Sequence, residues 1–267
     1  VDSAPGVKDS LLDPGAYLAH VERAAGAAGF RLEPYGAIAA HPLLALTRRT
    51  PGPRPRIYVS AGIHGDEPAA PLALLRLLER GVFDASAVWF LCPLLNPLGF
   101  VRGTRENADG IDLNRDYREP STLEIRAHTR WLERQPPFDL AICLHEDWEA
   151  RGFYLYELNR HQVRSHARSV LEAVAPVCPI DPSPIIDGRP VDEPGIIRPV
   201  ADPVLRDRWP EAIYLQSHHS ELGYTLETPS ALPLAQRVQA HGAAVERLIA
   251  ATVTAWRETR PQTGTQT

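Results

Sequence analysis

Apolar and polar positions along the chain fall into short blocks that alternate between helical and strand spacing. Ala16 to Ala28 repeats apolar residues at helical intervals and stops at Gly29. Phe30 to Arg49 holds two alternating runs around Ala39-Ala40-His41-Pro42, which predicts a strand pair. Arg56–Ala61, Ala87–Leu94 and Asp139–Leu144 are compact apolar runs and read as buried strands. Pro68–Arg80 and Thr122–Arg134 read as helices, the first with proline in its opening turn. Val163–Ala175 reads as a further helix, Ile213–Gln216 and Tyr224–Glu227 as two more strands, and Leu232–Trp256 as a long closing helix. Strands alternating with helices predict an α/β fold with a largely parallel or mixed sheet. No repeat or boundary divides the chain, so residues 1–267 are read as one domain. Pro176–Pro210 is dense in proline and glycine and reads as an ordered loop over a site.

Composition narrows the classes. At 267 residues and 44% hydrophobic content the chain can build a substantial core. A net charge of −5 argues against nucleic acid as a partner, and no apolar run is long enough for a bilayer. Lys8 is the only lysine, so positive charge is almost entirely guanidinium, a group suited to carboxylates. Cys92, Cys143 and Cys178 form no CxxC pair and are expected as buried thiols, which suggests a reducing, cytoplasmic compartment. The chain starts at Val1 and contains no methionine, which is compatible with a removed leader.

Chemistry collects at predicted strand ends, where open α/β sheets gather function. His64-Gly65-Asp66-Glu67 sits between the Arg56–Ala61 strand and the Pro68 helix. An imidazole and a carboxylate three residues apart at such a turn can converge on one ion. Zinc takes these donors at about 2.0–2.2 Å and, when catalytic, needs three protein ligands and one open position. Taken alone, the same four residues also fit an acidic helix cap. His145 follows a strand and is the natural third ligand. Glu227 leaves another strand end and suits a general base and acid beside a metal-activated water. Between Asn96 and Tyr117, arginines alternate with glycines in a loop too polar for a core, a pattern suited to a carboxylate or a developing oxyanion.

Together, His64…Glu67, Asn96-Pro97-x-Gly99-Phe100, Arg105-x-Asn107-x-x-Gly110-x-Asp112-Leu113-Asn114-Arg115, His145 and Thr225-Leu226-Glu227 resemble zinc carboxypeptidases of the carboxypeptidase A type. The ordered matches span Ile57 to Pro229, and the Arg105–Arg115 pattern is their specific part. The resemblance implies a single-domain α/β sandwich with a mixed, mostly parallel eight-stranded sheet flanked by helices. It implies one Zn2+ per chain on His64, Glu67 and His145, with Asp112 orienting the first histidine. It further implies that Arg105 polarises the scissile carbonyl, Asn114 and Arg115 grip the substrate's terminal carboxylate, and Glu227 moves the proton. Tyr214 and Tyr224 are the candidates for the family's mobile tyrosine, and Tyr224 is taken as substrate-binding.

Departures bear on substrate. Asp116, where digestive members commonly carry asparagine, suggests a less positive carboxylate subsite. The run Glu146-Asp147-Trp148-Glu149 suggests cationic substrate groups or a solvated edge. Compactness points to bacterial cell-wall peptide amidases, with a murein peptide as substrate. The related succinylglutamate desuccinylase and aspartoacylase group, which hydrolyses N-acyl amino acids, is the second reading. A zinc-binding peptide sensor without catalysis is the third, disfavoured by the presence of Glu227. Expected partners are therefore a small peptide or acyl-amino-acid substrate, with no nucleic acid and no membrane. Ser217-His218-His219-Ser220 reads as a polar loop rather than a nucleophile cluster.

Overall fold

The computed structural model describes residues 12–160, 162–199 and 205–259. Helix α1 (Pro14–Ala27) opens with Asp13 accepting a hydrogen bond from the Ala16 amide at 2.7 Å, and Pro14 fills the first turn, where no amide partner is needed. Strands β1 (Arg31–Ile38) and β2 (His41–Arg48) form the expected antiparallel pair. There follow β3 (Arg56–Ser60), α2 (Ala69–Glu79), β4 (Val88–Cys92), a short helix α3 (Pro97–Arg102), α4 (Leu123–Leu132) and β5 (Leu140–Asp147). The second half holds β6 (Tyr154–Asn159), α5 (Ala167–Val174), three two-residue strands β7 (Ile185–Ile186), β8 (Arg189–Pro190) and β9 (Ile196–Ile197), then α6 (Glu211–His218), β10 (Leu222–Pro229) and α7 (Leu234–Thr259).

Eight strands form one mixed sheet in the order β1-β2-β4-β3-β5-β10-β6-β9, and helices cover both faces. Its centre, β4-β3-β5-β10, is parallel throughout, while β1 and β2 on one side and β6 on the other run antiparallel to their inner neighbours. The central strands are apolar on both sides because both sides are covered. Ile57, Val59, Ile142, Leu144, Tyr224 and Leu226 face a large core with α1, α2, α5 and α7. Alternate residues, among them Tyr58, Phe90, Ala141 and Cys143, face a smaller core with α4 and α6. All three cysteines are buried and free.

Three sequence expectations change. Ile213–Gln216 is not a strand: it lies inside α6, which begins directly after Pro210 and buries Ile213, Tyr214 and Leu215 on the sheet. β-branched and aromatic residues there suggested a strand, but the packing of this face against the sheet decides for helix. The helix read over Val163–Ala175 is confined to Ala167–Val174. Strand β6 was not foreseen, although Tyr154 to Asn159 pairs with β10 along its whole length. Of the Pro176–Pro210 segment, residues 200–204 lie outside the described set; the rest carries the small strands over the sheet's carboxyl edge.

Candidate metal centre and substrate cavity

Parallel register brings the chemistry together. Strand β10 pairs with β5 so that Thr225 stands beside Cys143 and Glu227 beside His145, all on the α6 side of the sheet. The β3 end feeds the loop that carries His64 and Glu67. That loop lies backbone to backbone on the Asn96–Phe100 turn: a Cβ on Gly65 would collide with the Gly99 carbonyl carbon and oxygen. Asn96 stitches the two loops, accepting from the Gly99 amide at 2.9 Å and donating to the Ile63 and Arg105 carbonyls at 3.1 and 3.4 Å. Gly65 N–H in turn reaches the Thr104 carbonyl at 2.9 Å. The Asn-Pro-x-Gly-Phe motif thus acts through architecture: it fixes where Arg105 stands relative to His64.

One nitrogen from His64, one from His145 and a carboxylate oxygen of Glu67 lie within 4.8 Å of one another, and all three residues are buried. His64 Nδ1 is 2.6 Å from Glu67 Oε1, and His145 Nδ1 is 3.1 Å from Glu67 Oε2. On its far side His64 donates from Nε2 to Asp112 Oδ1 at 3.2 Å, which fixes the tautomer and leaves Nδ1 as the donor atom for an ion. Two imidazoles and a carboxylate, buried and convergent, fit a divalent metal.

The same contacts set the charges of these groups. Burial works against protonated His64, but Glu67 and Asp112 outweigh it and push its pKa up to about 9. Burial lowers that of His145, which has no such second carboxylate on its other nitrogen. Burial also disfavours ionised Glu67, yet the two imidazoles hold it well below the usual carboxylate range. Asp112 is held low, against its burial, by His64, Arg105 and Arg115. Its second oxygen accepts from Arg105 Nε at 3.1 Å, and its first also takes the Asn114 amide at 2.9 Å. A single aspartate therefore orients a metal-ligand candidate, the Arg105 guanidinium and the start of the Asn114-Arg115 pair. In contrast, burial together with Glu67 and Asp147 raises the Glu227 pKa well above its ordinary value.

These residues line a cavity of about 460 Å³ that contains His64, Glu67, Arg105, Asn114, Arg115, His145 and Glu227. Tyr224 is not among them. It precedes Glu227 by an odd number of residues, so the strand's alternation turns it into the large core. There its hydroxyl donates to Glu157 at 3.1 Å and accepts from the His166 amide at 2.8 Å. Tyr224 is therefore corrected from a substrate-binding residue to a core residue. Tyr214, the other candidate, stacks on His218 with ring centroids 4.6 Å apart and also lies off the cavity. The tyrosines that do line it are Tyr154 and Tyr156 on β6, paired with Glu227 and Thr225. The alternation Tyr154-Leu155-Tyr156 was a readable signal; without β6 assigned, it had no place.

Asp116 is a second correction. Its carboxylate takes the amides and hydroxyls of Ser121 and Thr122, at 2.7–3.1 Å, and so serves the start of α4 instead of the carboxylate subsite. The acidic run after His145 also divides. Glu146 is buried against Arg237 and the Ala69 amide, Asp147 accepts the Tyr154 hydroxyl at 2.9 Å, and Trp148 and Glu149 reach the cavity mouth. Ser217–Ser220 is the end of α6, outside the cavity. Arg189, Arg206 and Arg208, which no sequence motif singled out, join Arg115 on the cavity wall.

Residues 53–179 match the family described as the succinylglutamate desuccinylase/aspartoacylase catalytic domain. A candidate metallopeptidase from Shewanella baltica is 25% identical and superposes with a TM-score of 0.78, over 90% of this chain and 92% of that one. The chain shares the fold of these metallopeptidases, and its residues 53–179 resemble the desuccinylase and aspartoacylase catalytic domain. A similar candidate metallopeptidase from Shewanella amazonensis gives the same identity and TM-score, with 90% and 93% covered. A metallo-carboxypeptidase from Pseudomonas aeruginosa, in complex with (2-guanidinoethylmercapto)succinic acid, shares the fold at 21% identity and a TM-score of 0.68, covering 91% of this chain and 69% of its own. No curated protein matches the sequence. The carboxypeptidase-like assignment accounts for the eight-stranded mixed sheet, and no helix among the described residues is long and apolar enough to cross a membrane.

Proposed function

We propose that this chain is a zinc-dependent metallocarboxypeptidase that hydrolyses a C-terminal amide bond of a small peptide. One observation carries the reading: the His64–Glu67–His145 cluster opens into the same cavity as Glu227, Arg105, Asn114 and Arg115. Bound zinc would supply Lewis-acid activation of a water and of the amide carbonyl. Glu227, which lines the cavity beside the cluster, takes the proton from that water and delivers it to the leaving amine. Arg105, held by Asp112 and half-exposed to the cavity, stabilises the oxygen that gains charge. Asn114 and Arg115 receive the terminal carboxylate and so set which bond lies over the metal. A cell-wall peptide is the substrate class first to be tried.

The second reading is an N-acyl amino acid amidohydrolase. The family match over residues 53–179 supports it, and so does the arginine wall, since Arg115, Arg189, Arg206 and Arg208 together favour a compact, multiply anionic ligand. Metal analysis combined with a panel of peptides and N-acyl amino acids separates the two. Release of a C-terminal amino acid supports the first reading, and release of an acyl acid supports the second. One zinc per chain with no cleavage of either class would move both aside in favour of a sensor.

A further inference from the structure

Beneath the cavity floor lies a polar circuit that the proposed chemistry does not use. Its centre is Glu211, the first residue of α6, only 1% exposed. Tyr58 donates to Glu211 Oε1 at 2.7 Å and Ser60 to Oε2 at 2.9 Å. Both donors lie on β3 two residues apart and so on one face. Tyr58 gives its single proton to Glu211, so its oxygen accepts from His128 Nε2 at 3.0 Å. His128 Nδ1 then accepts from the Tyr117 hydroxyl at 2.8 Å. Tyr117 closes the circuit: its amide donates to the Trp209 carbonyl at 3.2 Å, two residues before Glu211.

The circuit reaches the cavity at Asn114. The Glu211 amide, an unpaired donor at the start of a helix, donates to Asn114 Oδ1 at 2.8 Å. An asparagine amide has one acceptor oxygen and one NH2 group. With Oδ1 taken, the group that Asn114 can offer a ligand is the NH2, a donor suited to a carboxylate. Turned the other way, it would present an oxygen and repel one.

We infer that Glu211 is a positioning residue for carboxylate recognition, orienting the Asn114 amide so that its donor side faces the substrate. The inference rests on the proposed role of Asn114 and Arg115. Buried carboxyl, hydroxyl and imidazole groups are costly unless satisfied, and here their satisfaction fixes one backbone amide against one side chain. Ser60 and Tyr58 hold the carboxylate, the carboxylate sets the first turn of α6, and that turn sets Asn114.

The test compares the zinc-loaded protein and its Glu211→Gln and Ser60→Ala variants on N-acetylglycine and N-acetylglycinamide, measured by calorimetry, and on peptides with free or amidated C-termini. Wild type is expected to prefer the free carboxylate. In Glu211→Gln that preference should shrink about tenfold, the size of a lost hydrogen bond to a charged group. Affinity for the amidated probes and zinc content should stay within about twofold, and Ser60→Ala should move the same way by less. A merely structural role would weaken both probe classes together, and that outcome overturns the inference. So does an unchanged preference in a folded Glu211→Gln protein. If wild type itself does not distinguish carboxylate from carboxamide, the proposed role of Asn114 and Arg115 fails first and this inference falls with it.

Discussion

The floor of the cavity and the segment above it are built on different principles. On the floor, His64, Glu67, His145 and Glu227 project from the ends of three adjacent parallel strands or the loop that follows one, and His64 and Glu67 are each held by two partners. Overhead, β7 and β8 are two residues each, joined by Asp187 and Gly188 with φ of 49° and 65°, left-handed values that tighten the hairpin. This hairpin brings Arg189 to the cavity and is tied down by the Tyr156 hydroxyl on Asp187 Oδ2 at 2.6 Å. The floor is tied by a network of buried polar contacts, whereas the overhang rests on the Tyr156–Asp187 tie and a small apolar cluster of Ala150, Tyr154, Ile186 and Ile197. On the proposed function, the first region carries the chemistry and the second contributes to substrate choice.

Four substitutions sharpen or break that contrast. Glu227→Gln should lower kcat about 10²–10⁴-fold with metal content and thermal stability unchanged, measured by steady-state kinetics and metal analysis. A residual rate near wild type would remove Glu227 from the reaction. Asp112→Asn should weaken metal affinity about 10–100-fold, read by chelator competition, because His64 loses its orienting carboxylate. Tyr156→Phe frees the hairpin and should raise KM about two- to tenfold while kcat holds. If it costs more than Asp112→Asn, the overhang is part of the catalytic apparatus and the contrast collapses.

The fourth substitution concerns pH. Burial lowers the His128 pKa to about 3, below its unfolded value near 6.5. The neutral imidazole therefore stabilises the fold above pH 6.5, and that stability drains away as pH falls from 6.5 towards 3, by up to about 1.4 kcal/mol per pH unit. His128→Gln should be less stable than wild type at pH 7, and the gap should narrow on acidification, as followed by urea denaturation. A constant gap would mean that His128 is not buried as a neutral base.

Legibility in the sequence follows the same division. The ends of β3, β5 and β10 carry apolar runs followed by His64, His145 and Glu227, so strand and chemistry announce each other. The Arg105–Arg115 spacing is equally plain because Asp112 holds Arg105 seven residues before it and the Asn114 amide two residues after it. Tyr224 was misplaced because its role depends on parity: one residue along an alternating strand exchanges cavity for core. Ile213–Gln216 had strand-forming residues but lies against the sheet as a helix, a tertiary choice that no local pattern encodes. Arg189, Arg206 and Glu211 were invisible for a related reason. Glu211 bonds Tyr58 and Ser60 at 153 and 151 positions' distance and the Arg206 carbonyl meets Arg118 at 88, while Arg189 reaches the cavity only in the folded chain.

The pairing of β10 between β5 and β6 also sets an order of events during synthesis. Both flanking strands leave the ribosome before it, and the strand that carries Glu227 must insert between them. His64, Glu67 and His145 are all made earlier. A nascent chain therefore owns its candidate metal ligands well before it owns Glu227, and the candidate site is complete only once β10 is in place.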